Sequence, residues 1–319
     1  MVYLIDIASD IGGLQATLQQ VYDTMIVHSS DLIGISSSIA GFGALWYIGE
    51  RVWLKIAQAK TVEPEALVRP FVIGLAIFLF PYVIVLINGV MQPTVTGTAA
   101  LFNDSNQAVA TLLQQKEEAL QNSADWQMYT GPTGSGDLDK WETLSGEADS
   151  GFASGISNRL KFEMAKMSHN MKGSVKIWLS EVLQVLFESA ALCINTVRTF
   201  YLIILGILGP LAFGLSVFPG FGDNLTHWLA RYINVFLWLP VANIFGSLIG
   251  QLQQQMIKLD IAQLSATGQT TFNSTDTAYI VFLLMAIVGY FTVPSVSNYI
   301  VRAGSMGARL LETKLFKNV

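Results

Sequence analysis

The first pattern along the chain is helical. Leu4, Ile7, Ile11, Leu14, Leu18, Val21 and Met25 recur at alternating intervals of three and four residues. That spacing draws one apolar stripe down a helix with a coiled-coil period. Gly12 and Gly13 weaken it as a free helix. Two uses suit the stripe equally, lying on a bilayer surface or contacting another subunit. Residues 1–31 hold four acids and no base, so they are not expected to be a secretory signal peptide, which starts basic.

Apolar runs follow. LIGISSSIAGFGALWYIG, residues 32–49, carries no charge. A bilayer core about 30 Å thick takes roughly 20 helical residues; continuing to Leu54 reaches that length with Glu50 and Arg51 at the headgroups. Ser37–Gly41 and Ala40–Ala44 are small pairs one turn apart, the spacing that lets helices approach closely in lipid. FVIGLAIFLFPYVIVLINGVM, residues 71–91, reads as a second span that Pro81 kinks rather than ends. Three more runs read as spans: residues 199–220, with a kink near Gly209–Pro210; residues 232–250, with Pro240 inside; and residues 277–293.

Between these runs the pattern changes twice. Residues 92–158 hold nine acids and two lysines, and their Gly- and Ser-rich part, 130–151, predicts an irregular loop. Residues 157–198 then predict one long helix, roughly 60 Å at 1.5 Å per residue. Leu160, Met164, Met167, Met171, Val175, Trp178, Val182, Leu186, Ala190 and Cys193 follow one another by three or four positions. The first half of this helix is basic. The second half is apolar but carries Glu181 and Glu188, seven apart and so on one face. Residues 251–276 are polar again.

Composition turns these elements into a class. The hydrophobic fraction is 52% and the charged fraction 13%, against about 25% charged in soluble domains; mean hydropathy is +0.47. The fold class that follows is all-α and polytopic, with about five transmembrane helices, a long extramembrane helix and a polar central loop. A net charge of −5 argues against general nucleic-acid affinity over the whole surface. Cys193 sits alone in an apolar run and is expected to be a small buried hydrophobe. His28, His169 and His227 have no ligand spacing, and no phosphate loop, zinc-helix pair or nucleophile elbow occurs. No catalytic residue, cofactor or metal is therefore expected, and the chain reads as non-enzymatic.

Charge also orients the chain, because bases gather in cytoplasmic loops beside membrane ends. The acidic segment 1–31 reads as outside, the basic loop 51–69 as inside, the acidic loop 92–158 as outside and the basic tail 302–319 as inside. An outside start and an inside end require an odd number of crossings. Residues 32–91 supply two spans and 199–301 three. Residues 177–197 are then left out of the membrane, since Glu181 and Glu188 would cost several kcal/mol at the bilayer centre. Giving 177–197 its own crossing makes six and puts the tail outside. Arg159, Lys161, Lys166, Lys172 and Lys176 resist the five-span order, because it leaves them outside.

Two groups of residues carry the functional expectations. Glu181, Glu188, Asn195 and Arg198 share the long helix and suit an oligomer contact or a pore lining, with headgroup or neighbour-chain pairing as the plainer use for Glu188 and Arg198. Arg51, Lys55, Lys60 and Arg69 first hold their loop inside, and second offer a cytoplasmic docking surface. Asn88, Asn234 and Asn243, inside spans, are expected to make interhelical hydrogen bonds.

RVWLKIAQA, then VRPFVIGLAIFLFP, then INGVMQPTV, within residues 45–100, resembles the first third of the TraJ proteins of conjugative transposons. Those belong with TrbL-like polytopic inner-membrane components of type IV secretion systems. The resemblance implies a channel or platform subunit in several copies, at the base of a conjugative secretion machine in the bacterial inner membrane. Its implied partners are further copies of itself, other inner-membrane and stalk subunits, the machine's ATPases, and transiently single-stranded DNA with bound protein. The family is not defined by catalytic residues, so none carries over. A small-solute permease and a membrane assembly scaffold without a pore are the alternatives.

Overall fold

The computed structural model describes residues 14, 17–58, 65–145, 152–218, 220–267 and 274–301. Among them every regular element is helical. The helices are α1 (Thr17–Ala57), with a tighter 3₁₀ turn at Val27–Leu32; α2 (Glu65–Phe78); α3 (Phe80–Gln121); α4 (Ala124–Tyr129); α5 (Leu138–Ser145); and α6 (Phe152–Leu215). They continue with α7 (Asn224–Phe236), α8 (Trp238–Thr267), α9 (Ser274–Tyr290) and α10 (Val293–Val301). Four stretches are long and apolar enough to cross a membrane: Thr17–Ala57, Phe80–Gln121, Val182–Leu215 and Asn224–Ala266. The α9–α10 pair, bent by 50°, makes up to five. The all-α polytopic class expected from composition is what the chain adopts.

Prolines set the breaks. Pro81 has no N–H for the Ile77 carbonyl, and the helix lapses two residues before it, at Leu79. The Leu79 N–H still reaches Leu75 O at 2.9 Å and the Val83 N–H reaches Leu79 O at 3.1 Å, so the ladder is interrupted rather than ended. Pro294 follows the α9–α10 bend in the same way, and Pro240 the α7–α8 break at Leu237. Pro210, by contrast, lies inside α6.

The chain forms two compact units. The first comprises residues 1–99, 190–242 and 290–319. Its centre is aromatic: Phe80 meets Phe213 and Trp228 edge-on at 5.3 and 5.6 Å, and Tyr232 stacks on Trp228 at 5.4 Å. Phe80 and Tyr232 are fully buried. Small residues on α6 make room: a Cβ at Gly209 would strike the Phe80 ring, and one at Gly214 would stand 2.8 Å from the Ser36 carbonyl oxygen of α1. Gly43 of α1 similarly faces Phe218, so the GFG at 41–43 has a packing glycine. In the GFG at 220–222, Gly220 takes φ +91° in the turn before α7.

The second unit comprises residues 100–189 and 243–289. Here α3 packs on α8: Ser105 Oγ donates to Ser247 O at 3.1 Å, and Lys116 pairs with Asp260. Met128, Trp141 and Phe162 form a small core beneath α6, extended by Tyr129, which stacks on His169 at 4.6 Å. Lys166 Nζ holds the 130–137 loop through Gly134 O and Ser135 O, at 3.0 and 2.7 Å.

Several expectations change. The stretch 92–158 is not one polar loop. α3 runs through Pro93 to Gln121, its threonine hydroxyls returning to carbonyls of the preceding turn, as Thr98 Oγ1 does to Thr94 O at 2.7 Å. Of the predicted irregular stretch 130–151, the segment around Gly131, Gly134 and Gly136, all with positive φ, is irregular, whereas 138–145 are helix α5 and 146–151 lie outside the described residues. The polar segment 251–276 is helical as far as Thr267, held by the contacts with α3. Residues 51–57 belong to α1 and 65–69 to α2, so the predicted basic loop is mostly helix; no breaker precedes Gln58. The long helix starts at Phe152 and carries on unbroken to Leu215. Cys193 is exposed, not buried, because it lies on the outward stripe of α6.

Candidate functional site

The polar groups of the first unit collect where Pro240 interrupts the α7–α8 span. Pro240 cannot donate to Phe236 O, four residues earlier. The ladder resumes on either side, with Leu237 N–H on Ile233 O and Val241 N–H on Leu237 O, both at 3.0 Å. Phe236 O instead accepts from Arg198 Nε of α6, at 3.3 Å. The guanidinium also lies over the Phe236 ring, 5.1 Å from its centroid, a cation–π geometry. Arg198 is buried, inside the candidate span Val182–Leu215. Among the described residues it has no ion pair, and its electrostatic neighbours are the phenols of Tyr232 and Tyr22. The sequence expectation of a headgroup or neighbour-chain partner is corrected here: the freed carbonyl draws the guanidinium inward.

Those phenols close a ring of hydrogen bonds. Tyr232 OH donates to Asn88 Oδ1 at 2.9 Å, and Asn88 Nδ2 donates to Tyr22 OH at 2.9 Å. Tyr22 OH, 2.8 Å from Tyr232 OH, is then the donor in the third bond, since the Tyr232 proton is already used. Every member gives and receives, which is what a polar group within lipid reach requires. One turn on, Ser297 Oγ donates to Asn234 O at 2.6 Å, Asn234 Nδ2 to Asn298 Oδ1 at 3.2 Å, and Trp238 Nε1 to Asn234 Oδ1 at 3.0 Å. Asn88 and Asn234 thus make the interhelical bonds that their positions in apolar runs predict.

The other sequence candidates fall elsewhere. Glu188 accepts from Gln184 Nε2 at 2.9 Å, while its Oε2 is buried without a hydrogen-bond partner. Asn195 Oδ1 is also buried and unpartnered. Seven apart, the two lie on one face of α6. Glu181 is in α6, but its side chain lies outside the described residues. Arg51 stacks over the Tyr47 ring at 5.1 Å, and Lys55 is half-buried on α1. Lys60 and the Arg69 side chain lie outside the described residues. Among the described residues no three His, Cys, Asp or Glu side chains converge to hold a metal.

Sequence reasoning singled out Arg198 but not its partner, and missed Tyr22 and Tyr232. The available signal was an arginine in one apolar run and a proline in another.

The family model described as homologues of TraJ from Bacteroides conjugative transposon matches residues 9–316. No curated protein matches the chain.

Proposed function

The chain belongs to the family of TraJ homologues from Bacteroides conjugative transposons and so has a role in conjugative transfer; we propose that within this role it is a non-enzymatic subunit of the inner-membrane platform of a type IV secretion machine. Several copies form the base of the channel for DNA with bound protein. The other membrane and stalk subunits and the energising ATPases are its partners.

The observation that carries the oligomeric part is on α6. Leu160, Met164, Met167, Met171, Trp178, Val182 and Leu186 are all exposed. The outward stripe then runs on through Ser189, Cys193, Val197, Phe200, Ile204 and Leu208. With Val175, whose side chain lies outside the described residues, the steps repeat as four, three, four from 160 to 208. A period of 11 residues in three turns is close to that of a straight helix. A bilayer can cover the part inside the span, but the part before Val182 needs protein or lipid to cover it.

Electron microscopy of the purified full-length protein tests this reading. A symmetric ring is expected, and a compact monomer around a central cavity would favour a permease instead. The five-span order is proposed with the N-terminus outside and the C-terminus inside. Reporter fusions after residues 60, 125, 265 and 319 should report inside, outside, outside and inside; an external signal at 319 sinks that order.

A further inference from the structure

The last two helices meet at a bend of 50°, with Phe291 and Thr292 between them. Pro294 brings no N–H to that corner. α10 starts on Thr292 O, which accepts from the Ser295 and Val296 N–H groups at 2.9 and 3.0 Å. The helix that follows holds little apolar surface against its neighbours. Of its nine residues, Val293 and Ser297 are buried, while Ser295, Val296, Tyr299 and Ile300 are exposed, Tyr299 by 75%. The helix it bonds to is held differently: α7 buries Trp228, Tyr232, Val235 and Phe236. Apolar burial fixes α7, whereas the hold on α10 is largely polar.

One residue gathers those polar bonds. Asn234 of α7 accepts on its backbone oxygen from Ser297 Oγ at 2.6 Å, and its Nδ2 donates to Asn298 Oδ1 at 3.2 Å. Its Oδ1 accepts from Trp238 Nε1 at 3.0 Å. Asn234 thus clasps α10 with one set of atoms and the first residue of α8 with another, across the break at Leu237. Neutral side-chain bonds between helices in lipid are individually weak, because a released group finds other partners. Elements with few buried apolar contacts are also those that open most readily. α10 combines both properties with a corner that a proline has relieved of a backbone bond.

We propose that α10 is a hinged arm, held on α7 by the Asn234 clasp and swinging at Phe291–Thr292 when the clasp opens. The arm leads into residues 302–319, which carry four bases and one acid. Its swing therefore sets where that basic segment is presented. Straightening the 50° bend would carry Tyr299 by roughly 8 Å, for six to seven residues at about 1.5 Å each.

Distances between spin labels on the full-length protein, reconstituted in lipid nanodiscs, test the arm. Cys193→Ser removes the only cysteine and gives the background. Leu45→Cys on α1, 74% exposed, is paired with Tyr299→Cys to report the arm. The same Leu45→Cys is paired with Thr226→Cys, exposed on α7, to report the rest of the first unit. Each pair is measured with and without Ser297→Ala and Asn298→Ala together, which remove both α10 groups of the clasp.

The expected result is a Leu45–Tyr299 distance that shifts or splits when the clasp is removed, by an amount up to the swing of the arm, with the Leu45–Thr226 distance unchanged. An arm distance that the double substitution leaves as it was would mean that other contacts hold α10. A control distance that broadens as well would make Ser297 and Asn298 part of the core rather than of a clasp. Either result overturns the hinged arm.

Discussion

Substituting Arg198→Met is expected to abolish conjugative transfer, and adding Pro240→Ala, which removes the need for the cap, should not recover transfer. Two opposed terms act on stability. Losing the Nε donor leaves the Phe236 carbonyl unbonded in a buried place, which costs about 1–3 kcal/mol, and the stacking over Phe236 goes with it. Removing a cation from a span relieves a burial cost of roughly 2.5–3.5 kcal/mol on insertion scales. Methionine keeps most of the volume, so no large cavity adds to the account. The net change in thermal stability should therefore be small, within about 2 kcal/mol by difference of those terms.

The second substitution separates capping from charge. Alanine at 240 supplies an N–H that can reach Phe236 O four residues back, so it removes the need for the arginine cap. The double variant should melt at or above the parent in detergent. If Arg198 is only a cap, the double variant transfers normally. If the buried charge is what the machine uses, transfer stays at background while abundance in the membrane is unchanged. Arg198→Lys is a further discriminator: it keeps the charge but not the planar Nε donor. Recovery of transfer in the Arg198→Met, Pro240→Ala variant would rule out a functional charge.

Apolar run length and charge were enough to read the class and the approximate spans, because lipid imposes both. The runs at 32–49, 71–91, 199–220 and 232–250 each fall at least partly within a candidate crossing, and 277–293 lies mostly within the bent pair. What stayed hidden depends on contacts between distant segments. Residues 92–121 read as part of a polar loop because the segment 92–158 is acidic and contains the Gly- and Ser-rich stretch 130–151, yet 99–121 is rich in Ala, Leu, Gln and Glu, and Ser105 and Lys116 meet Ser247 and Asp260 along the helix they form. Cys193 looked buried because its neighbours in sequence are apolar; which face of α6 it occupies is fixed by packing on the opposite side. Arg198 stood out as a charge in an apolar stretch. Its acceptor did not, because a proline marks a freed carbonyl but not the helix that will satisfy it.

The same dependence on contacts gives the second large effect: Gly214→Leu should prevent the first unit from forming, whereas Gly89→Leu should be tolerated. Both glycines lie within helices of apolar spans, and sequence alone does not rank them. At Gly214 a Cβ would stand 2.8 Å from the Ser36 carbonyl oxygen and 3.6 Å from the Ser36 carbonyl carbon. These are backbone atoms of α1 and cannot swing aside as a side-chain end can. Ser36 is itself fully buried, so α1 would have to move bodily. Overpacking of this kind costs typically about 1–3 kcal/mol and more where the backbone must shift. Moving α1 would also pull Tyr22 from Tyr232 and Asn88, breaking a closed ring and leaving polar groups unbonded within the span. At Gly89 nothing lies within 4 Å of the added Cβ, and leucine there gains helix propensity of up to about 1 kcal/mol. Membrane abundance and the detergent melting temperature are the readouts. Gly214→Leu should lose the folded protein and Gly89→Leu should match or exceed the parent. A Gly214→Leu protein that melts like the parent would mean that α1 does not lie against α6 through Ser36.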